Sequence, residues 1–265
     1  MNYKKGGTLG MALAAMAFST MAQADGHGMS GYYVSLGYGI VEQDDSSNDG
    51  TFTSDFTTGT DTTVPIGPAL IPAGSPVGWE TEFDQGDNYS LAFGKRFGQW
   101  RLELAYVSSS TDVDSHAGVN AAGLALDGVD AAILITGATD LGITTGALVS
   151  DGQGSIESDT WMVSAYYDFD LGWPVTPFVG LGFGTSDVDV DYSPSNTVII
   201  DDDDTVTVYQ IVLGLSYAIT DQWHVQFNYT QWNSDDVEVD ATLLPASFDI
   251  ENDSDRYNLG LTYNF

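Results

Sequence analysis

The sequence predicts an all-β protein, an eight-stranded antiparallel up-and-down transmembrane β-barrel with short periplasmic turns and long extracellular loops. Three observations carry that prediction. The closing stretch "RYNLGLTYNF" alternates perfectly, with Tyr257, Leu259, Leu261, Tyr263 and Phe265 on one parity and Asn258, Gly260, Thr262 and Asn264 on the other. Successive side chains of a strand point to opposite faces, so this is a strand with one apolar and one polar face. Its ten residues are what a tilted strand needs to cross a bilayer. Seven further segments repeat the pattern, and the connections between them are alternately short and long.

The elements follow in order. Residues 1–24 carry Lys4 and Lys5, an apolar run to Met21 and the small-x-small site Ala22-Gln23-Ala24, which reads as a secretory signal peptide cleaved before Asp25. Residues 25–265 are expected to form one barrel domain, with no room after the last strand for another. The strand segments are "YYVSLGYGIV", "DNYSLAFGKRF", "WRLELAYV", "WMVSAYYDFDL", "TPFVGLGFG", "YQIVLGLSYAI", "WHVQFNYTQW" and the terminal one. Tight turns join them at Gly98-Gln99, at "GWPV" and near Asp221-Gln222. The other connections, roughly 44–86, 111–157, 186–205 and 234–252, are expected to be external loops. Aromatic residues gather at both ends of the outward parity, as the two girdles of a spanning barrel require: Phe97, Trp100 and Trp223 at the turn end, Tyr89, Tyr106 and Tyr209 at the loop end.

Composition narrows the functional classes. The chain has 6 Lys and Arg against 38 Asp and Glu, and the leader removes two of the bases and none of the acids, leaving −34 for residues 25–265. A surface this anionic excludes nucleic acid as a partner. It favours solubility, attracts cations and is suited to a saline habitat. There is no cysteine, so no disulfide or thiolate metal site staples the exported chain.

The parity opposite the aliphatic residues carries Asn88, Arg96, Arg101, Glu103, Asp168, Asp170, His224, Gln226, Asn228 and Arg256. A lining so polar does not suit a soluble lipocalin-like cup, which keeps its apolar parity inside. Charges confined in a bore should be paired, because an unpaired buried charge is costly. Arg96 or Arg101 is therefore expected within ion-pair reach of Glu103, Asp168 or Asp170, closing the bore near the turns.

"FGKRFGQWRLELAYV", "TPFVGLGFG" and "YNLGLTYNF" resemble the small outer-membrane barrels of the OmpA/OmpX and opacity-protein kind, often grouped as porin-family or outer-membrane β-barrel-domain proteins. The resemblance covers residues 30–265 and implies the outer membrane of a Gram-negative bacterium, with lipid and lipopolysaccharide as surroundings. It further implies that Tyr257, Leu259, Leu261, Tyr263 and Phe265 form the signal read by the barrel-assembly machinery, which a tail would obscure.

No motif points to catalysis. His27, His116 and His224 share neither a strand nor a metal-binding spacing, and Ser115-His116 precedes a Gly/Ala-rich stretch rather than lying at a lipid boundary. "GLGFG" (180–184) lies within a strand and opens no helix, so its glycines are assigned to packing in a tight bore. "DVDVD" has the spacing of the first calcium-loop ligands at Asp187, Asp189 and Asp191, but Tyr192 stands where the loop needs Gly and Val198 where it needs Glu. The acid runs are thus read as a solvated rim, with loosely held Ca²⁺ or Mg²⁺ as the alternative and no other cofactor. Segment 117–149 is unusually apolar for a loop; it either folds over the barrel mouth or extends the strands as a hairpin, or it meets a hydrophobic ligand or partner. Two functions are carried forward: a non-enzymatic barrel serving envelope integrity or surface interaction, and a narrow channel for small solutes or hydrophobic compounds.

Overall fold

A computed structural model describes residues 30–64 and 68–265; the signal-peptide expectation and His27 lie outside the described residues. The strands in chain order are β1 (Ser30–Gln43), β2 (Ser46–Phe52), β3 (Phe56–Thr57), β4 (Leu70–Ile71), β5 (Pro76–Phe83), β6 (Gly86–Phe97), β7 (Trp100–Ala121) and β8 (Leu124–Ala125). They continue with β9 (Gly154–Asp168), β10 (Val175–Tyr192), β11 (Ile200–Ala218), β12 (Trp223–Ser234), β13 (Val237–Asp240), β14 (Ala246–Ile250) and β15 (Ser254–Asn264). A 3₁₀ turn, Ala131–Leu134, and a short helix α1, Thr145–Val149, lie between β8 and β9. The described residues thus hold fifteen strands where the alternation predicts eight, and every ladder between named strands is antiparallel.

The eight predicted segments correspond to β1, β6, β7, β9, β10, β11, β12 and β15. Each pairs with the next in that order, and β15 pairs back with β1, Leu261 opposite Leu36 and Leu259 opposite Tyr38. Parity is as the sequence predicts. Leu36, Leu91, Leu104, Val163, Leu181, Leu213, Phe227 and Leu259 are exposed, whereas their neighbours of the other parity face inward. The β6–β7 connection is a two-residue turn in which Gly98 takes φ +65°, a backbone that glycine adopts without a Cβ penalty.

The inward glycines admit large side chains from neighbouring strands. A Cβ on Gly94 would lie 2.2 Å from the Tyr33 ring, one on Gly180 2.3 Å from Tyr166, and one on Gly214 2.2 Å from Phe178. The "GLGFG" glycines are therefore packing residues, because the bore is too narrow for two side chains at one level.

The seven additional strands lie in three of the four long connections, and the fourth, 186–205, is taken up mostly by extensions of β10 and β11. Strands β13, β14, β2, β5 and the upper part of β7 pair in that order beyond the loop end of the long strands. The upper parts of β9, β10 and β11 stay paired as far as Gly154, Tyr192 and Ile200. In "DVDVD", Val188 and Val190 are fully buried while the aspartates face out, so an acidic run is a strand with one apolar face. "VEVD" in β13 repeats the device with Val237 and Val239. Burying such a side chain contributes on the order of 1.5–3 kcal/mol, enough to hold charged strands together in an external layer. Asp202 and Asp204 serve as strand edges, accepting the backbone N–H of Asp240 at 2.9 Å and of Glu238 at 3.1 Å.

Segment 117–149 is apolar because it belongs to this external core. Ala131, Ala132, Ile133 and Val149 are buried within it. Two aspartates fix its path. Asp130 accepts the N–H groups of Ala132, Leu141 and Gly142, and Asp61 accepts those of Thr63, Val64 and Asp130. These bonds stabilise the charged form and hold the Asp61 carboxyl down to about 2, the Asp130 N–H foremost.

Candidate functional site

Packing of the external layer leaves one large apolar chamber, with a volume of about 300 Å³. Strand β2 supplies Phe52, β5 Val77 and Trp79, the upper β7 His116, Val119 and Ala121, β10 Tyr192 and β14 Phe248. The β3–β4 hairpin and the β7–β8 turn bring Leu70 and Leu124 to it, and these are 62% and 63% exposed, so the chamber has an apolar rim open to the outside. The volume matches the low end of small-molecule sites, which are concave and mostly apolar with few placed polar groups. Trp79 is the aromatic centre of the wall, 4.5 Å from the Phe248 ring and 6.3 Å from those of His116 and Tyr192, centroid to centroid.

The polar part of the wall is a short relay. Thr81 and His116 are ladder partners on β5 and β7, and Thr81 Oγ1 lies 2.9 Å from His116 Nδ1. Thr81 Oγ1 also accepts from Asn48 Nδ2 at 2.7 Å and from Trp79 Nε1 at 3.2 Å. Asn48 is itself oriented, because its Nδ2 also donates to the Trp79 carbonyl and its Oδ1 accepts from Ser46. His116 is 3% exposed, and its Nε2 has no hydrogen-bond partner among the described residues. Burial pushes its imidazolium down to about 4, against the opposing pull of Asp151. The ring is therefore neutral at physiological pH.

Below the chamber the interior changes character. The Arg256 guanidinium lies 3.7 Å from the Trp232 ring centre, and its Nε donates to Ser254 Oγ at 3.1 Å. A polar cavity of about 90 Å³ follows, bordered by Ser90, Glu103, Gln226 and Asn258. Nearer the turns the bore is filled. Asp168 meets Arg101 at 2.9 Å and Arg96 at 3.2 Å. Glu103 accepts the Tyr33 hydroxyl at 2.9 Å and the Tyr166 hydroxyl at 3.2 Å, while the Arg101 guanidinium lies 4.7 Å from the Phe178 ring.

Among the residues singled out from sequence, Arg96, Arg101, Glu103 and Asp168 thus meet at one level, with Arg256 inward at a higher one. Asp170 is a correction. It is exposed beyond the end of β9 and accepts the Gly172 N–H in the turn, because the strand stops at Asp168 and the parity argument stops with it. Asp187, Asp189 and Asp191 occupy alternate positions of one extended strand. Such carboxylates stand in a row about 7 Å apart and do not wrap a common point as calcium-loop ligands do. No cluster of three or more His, Asp or Glu suited to a metal ion occurs among the described residues. Ser115 turns to Glu82 and His116 to Thr81, so the adjacent pair lies on opposite faces of β7. Leu259, Leu261 and Phe265 are exposed, with Tyr257 and Tyr263 partly so on the same outward face of β15.

Sequence reasoning missed Trp79, Thr81, Asn48 and the chamber itself. The signal was present in "VGWETEF", where Val77, Trp79, Thr81 and Phe83 alternate with Gly and Glu, but it lay inside a connection assigned to a loop.

Long antiparallel strands with an apolar, aromatic-flanked outer face define a β-barrel protein of the outer membrane. The chain belongs to the family described as outer membrane protein beta-barrel domain, whose model matches residues 10–265. This locates it in the outer membrane of a Gram-negative bacterium. Among solved structures, OprG of Pseudomonas aeruginosa is 16% identical with a TM-score of 0.54, over 90% of this chain and 97% of that one. Neisserial surface protein A is 17% identical with a TM-score of 0.45, over 90% and 100% of the two chains. The outer membrane protease OmpT of Escherichia coli is 10% identical with a TM-score of 0.41, over 92% and 99%. A search of curated proteins finds no match.

Proposed function

We propose that the eight long strands form a closed, non-enzymatic barrel whose external layer captures a small apolar molecule from the surroundings of the cell. The chamber carries this reading. Its wall is almost wholly aliphatic and aromatic, it is large enough for a two-ring compound, and its rim presents exposed Leu70 and Leu124 to the outside. It favours the hydrophobic compounds named in the second function but not a channel for them, since the bore is filled nearer the turns. The acidic outer faces of β10 and β11 keep this apolar layer solvated, while lipid and lipopolysaccharide surround the outward belt and the assembly machinery reads β15. Closure is supported by the return of the ladder from β15 to β1. The refolded protein is then expected to migrate as a compact band that shifts on boiling in detergent, and a chain that shows no such shift does not form a closed barrel.

Capture is tested with naphthalene and the protein in lipid nanodiscs. The Trp79 indole N–H resonance is expected to shift saturably, and Leu126→Trp, which fills the chamber from its β8 side, is expected to abolish the shift. A Trp79 signal indifferent to naphthalene removes the chamber from the function.

A further inference from the structure

The relay behind His116 fixes which of its nitrogens carries the proton. A threonine hydroxyl has one hydrogen to give and two lone pairs to receive. Both lone pairs of Thr81 Oγ1 are taken by unambiguous donors. The indole Nε1–H of Trp79 can only donate, and the Asn48 amide is fixed by its bond to the Trp79 carbonyl, an acceptor. The hydroxyl hydrogen must then go to His116 Nδ1, 2.9 Å away. The Tyr192 hydroxyl lies toward Thr81 without reaching hydrogen-bond geometry. A neutral imidazole whose Nδ1 accepts carries its proton on Nε2. His116 lines the chamber, and its Nε2 is buried with no hydrogen-bond partner among the described residues.

A buried donor left unsatisfied is costly, and the cost disappears when a ligand supplies an acceptor. We infer that the chamber selects apolar molecules bearing one hydrogen-bond acceptor, such as an aryl ketone, aldehyde or ester, and that His116 Nε2–H recognises that acceptor. This rests on the capture reading above and deepens it. A pure hydrocarbon fills the same volume but leaves Nε2–H unpaired. A carboxylate also accepts, but it would enter as a charge in an apolar cavity whose imidazole is neutral, so a neutral acceptor is the better match. Two other hydroxyls line the chamber: Thr58 Oγ1 already donates to the Gly59 carbonyl and accepts from the Ala69 N–H, while the Tyr192 hydroxyl is, like His116 Nε2, buried without a partner, and the substitution at His116 decides between the two.

The test pairs benzophenone with 1,1-diphenylethylene, which has nearly the same shape with C=CH₂ in place of C=O. Because the ketone loses more hydration on leaving water, the informative comparison is between variants for each ligand, with dissociation constants measured in nanodiscs. His116→Phe is expected to weaken benzophenone about tenfold and to leave 1,1-diphenylethylene within about twofold. On the wild-type protein, ¹⁵N-edited NMR of the histidine side chains needs no substitution. It should find the His116 proton on Nε2 and should move that resonance downfield with benzophenone and not with the hydrocarbon, while both ligands shift Trp79. Equal weakening of both ligands by His116→Phe, or a proton on Nδ1, overturns the inference while capture stands. If neither ligand shifts Trp79, capture and the inference fall together.

Discussion

Asp168→Ala is expected to destabilise the barrel by about 3–5 kcal/mol, the cost of leaving buried charge without its partner. One carboxylate serves two cations, Arg101 at 2.9 Å and Arg96 at 3.2 Å, and Asp168 and Arg101 are each about 1% exposed. Removing it strands the Arg101 guanidinium among Tyr33, Tyr166 and Phe178, whose ring faces attract a cation more weakly than a carboxylate does, and takes a carboxylate from Arg96. Glu103 cannot simply replace it, since its oxygens already accept from Tyr33 and Tyr166. The check is the urea midpoint of the protein refolded in detergent, read by tryptophan fluorescence and by the boiling-dependent band shift. Adding Arg96→Met and Arg101→Met to Asp168→Ala should recover part of the loss, because an apolar core of similar volume has no charge to satisfy. A midpoint unchanged by Asp168→Ala alone would mean that the bore admits enough water to solvate both arginines.

That network was legible from sequence as a set of charges of one parity, and the reason is physical. In a spanning strand the lipid face must be apolar, so the polar parity can only be the interior. The same argument failed at Asp170, where the strand had already ended and parity no longer carries direction. It failed more broadly in the external layer. Strands such as "DVDVD" and "VEVD" put acid on one face and valine on the other, and a charge count sees only the acid. Strands β2, β5, β13 and β14 run to eight residues at most, shorter than a membrane crossing, so a length criterion suited to the barrel passed over them. The chamber could be read only in fragments, in the alternation of "VGWETEF" and the apolar segment 117–149. It is made where β2, β5, β7, β10 and β14 converge, and only the pairing of distant segments brings Asn48, Thr81, His116 and Tyr192 together.

The external layer is expected to loosen as pH falls from about 6.5 to about 4, with His116 as the cause. Its pKa is lowered from 6.5 to about 4 in the folded protein, mainly by burial, so within this interval the unfolded layer binds a proton that the folded layer refuses. Stability rises with pH wherever the unfolded state holds more protons. The contribution of His116 is therefore complete above about pH 6.5, declines as pH drops toward 4, and declines no further once the folded ring is also protonated. A shift of that size corresponds to roughly 3 kcal/mol. The ionisable groups facing the ring act weakly or not at all here. Asp151 pulls the other way and is already included in the shift, and the Tyr192 phenol is raised by burial far from this range. The interval also lies above the range of Asp61 and Asp130, whose carboxyls are held below 3.8 by backbone N–H groups, so their loss would come at lower pH. Hydrogen exchange of the β5 and upper β7 amides, corrected for intrinsic rate, is the measurement. Protection there should weaken between pH 7 and pH 4 while the β1–β15 ladder keeps its own. In His116→Phe the weakening should disappear. A pH response that persists in that variant would assign the effect to the acidic faces of β10 and β11 instead.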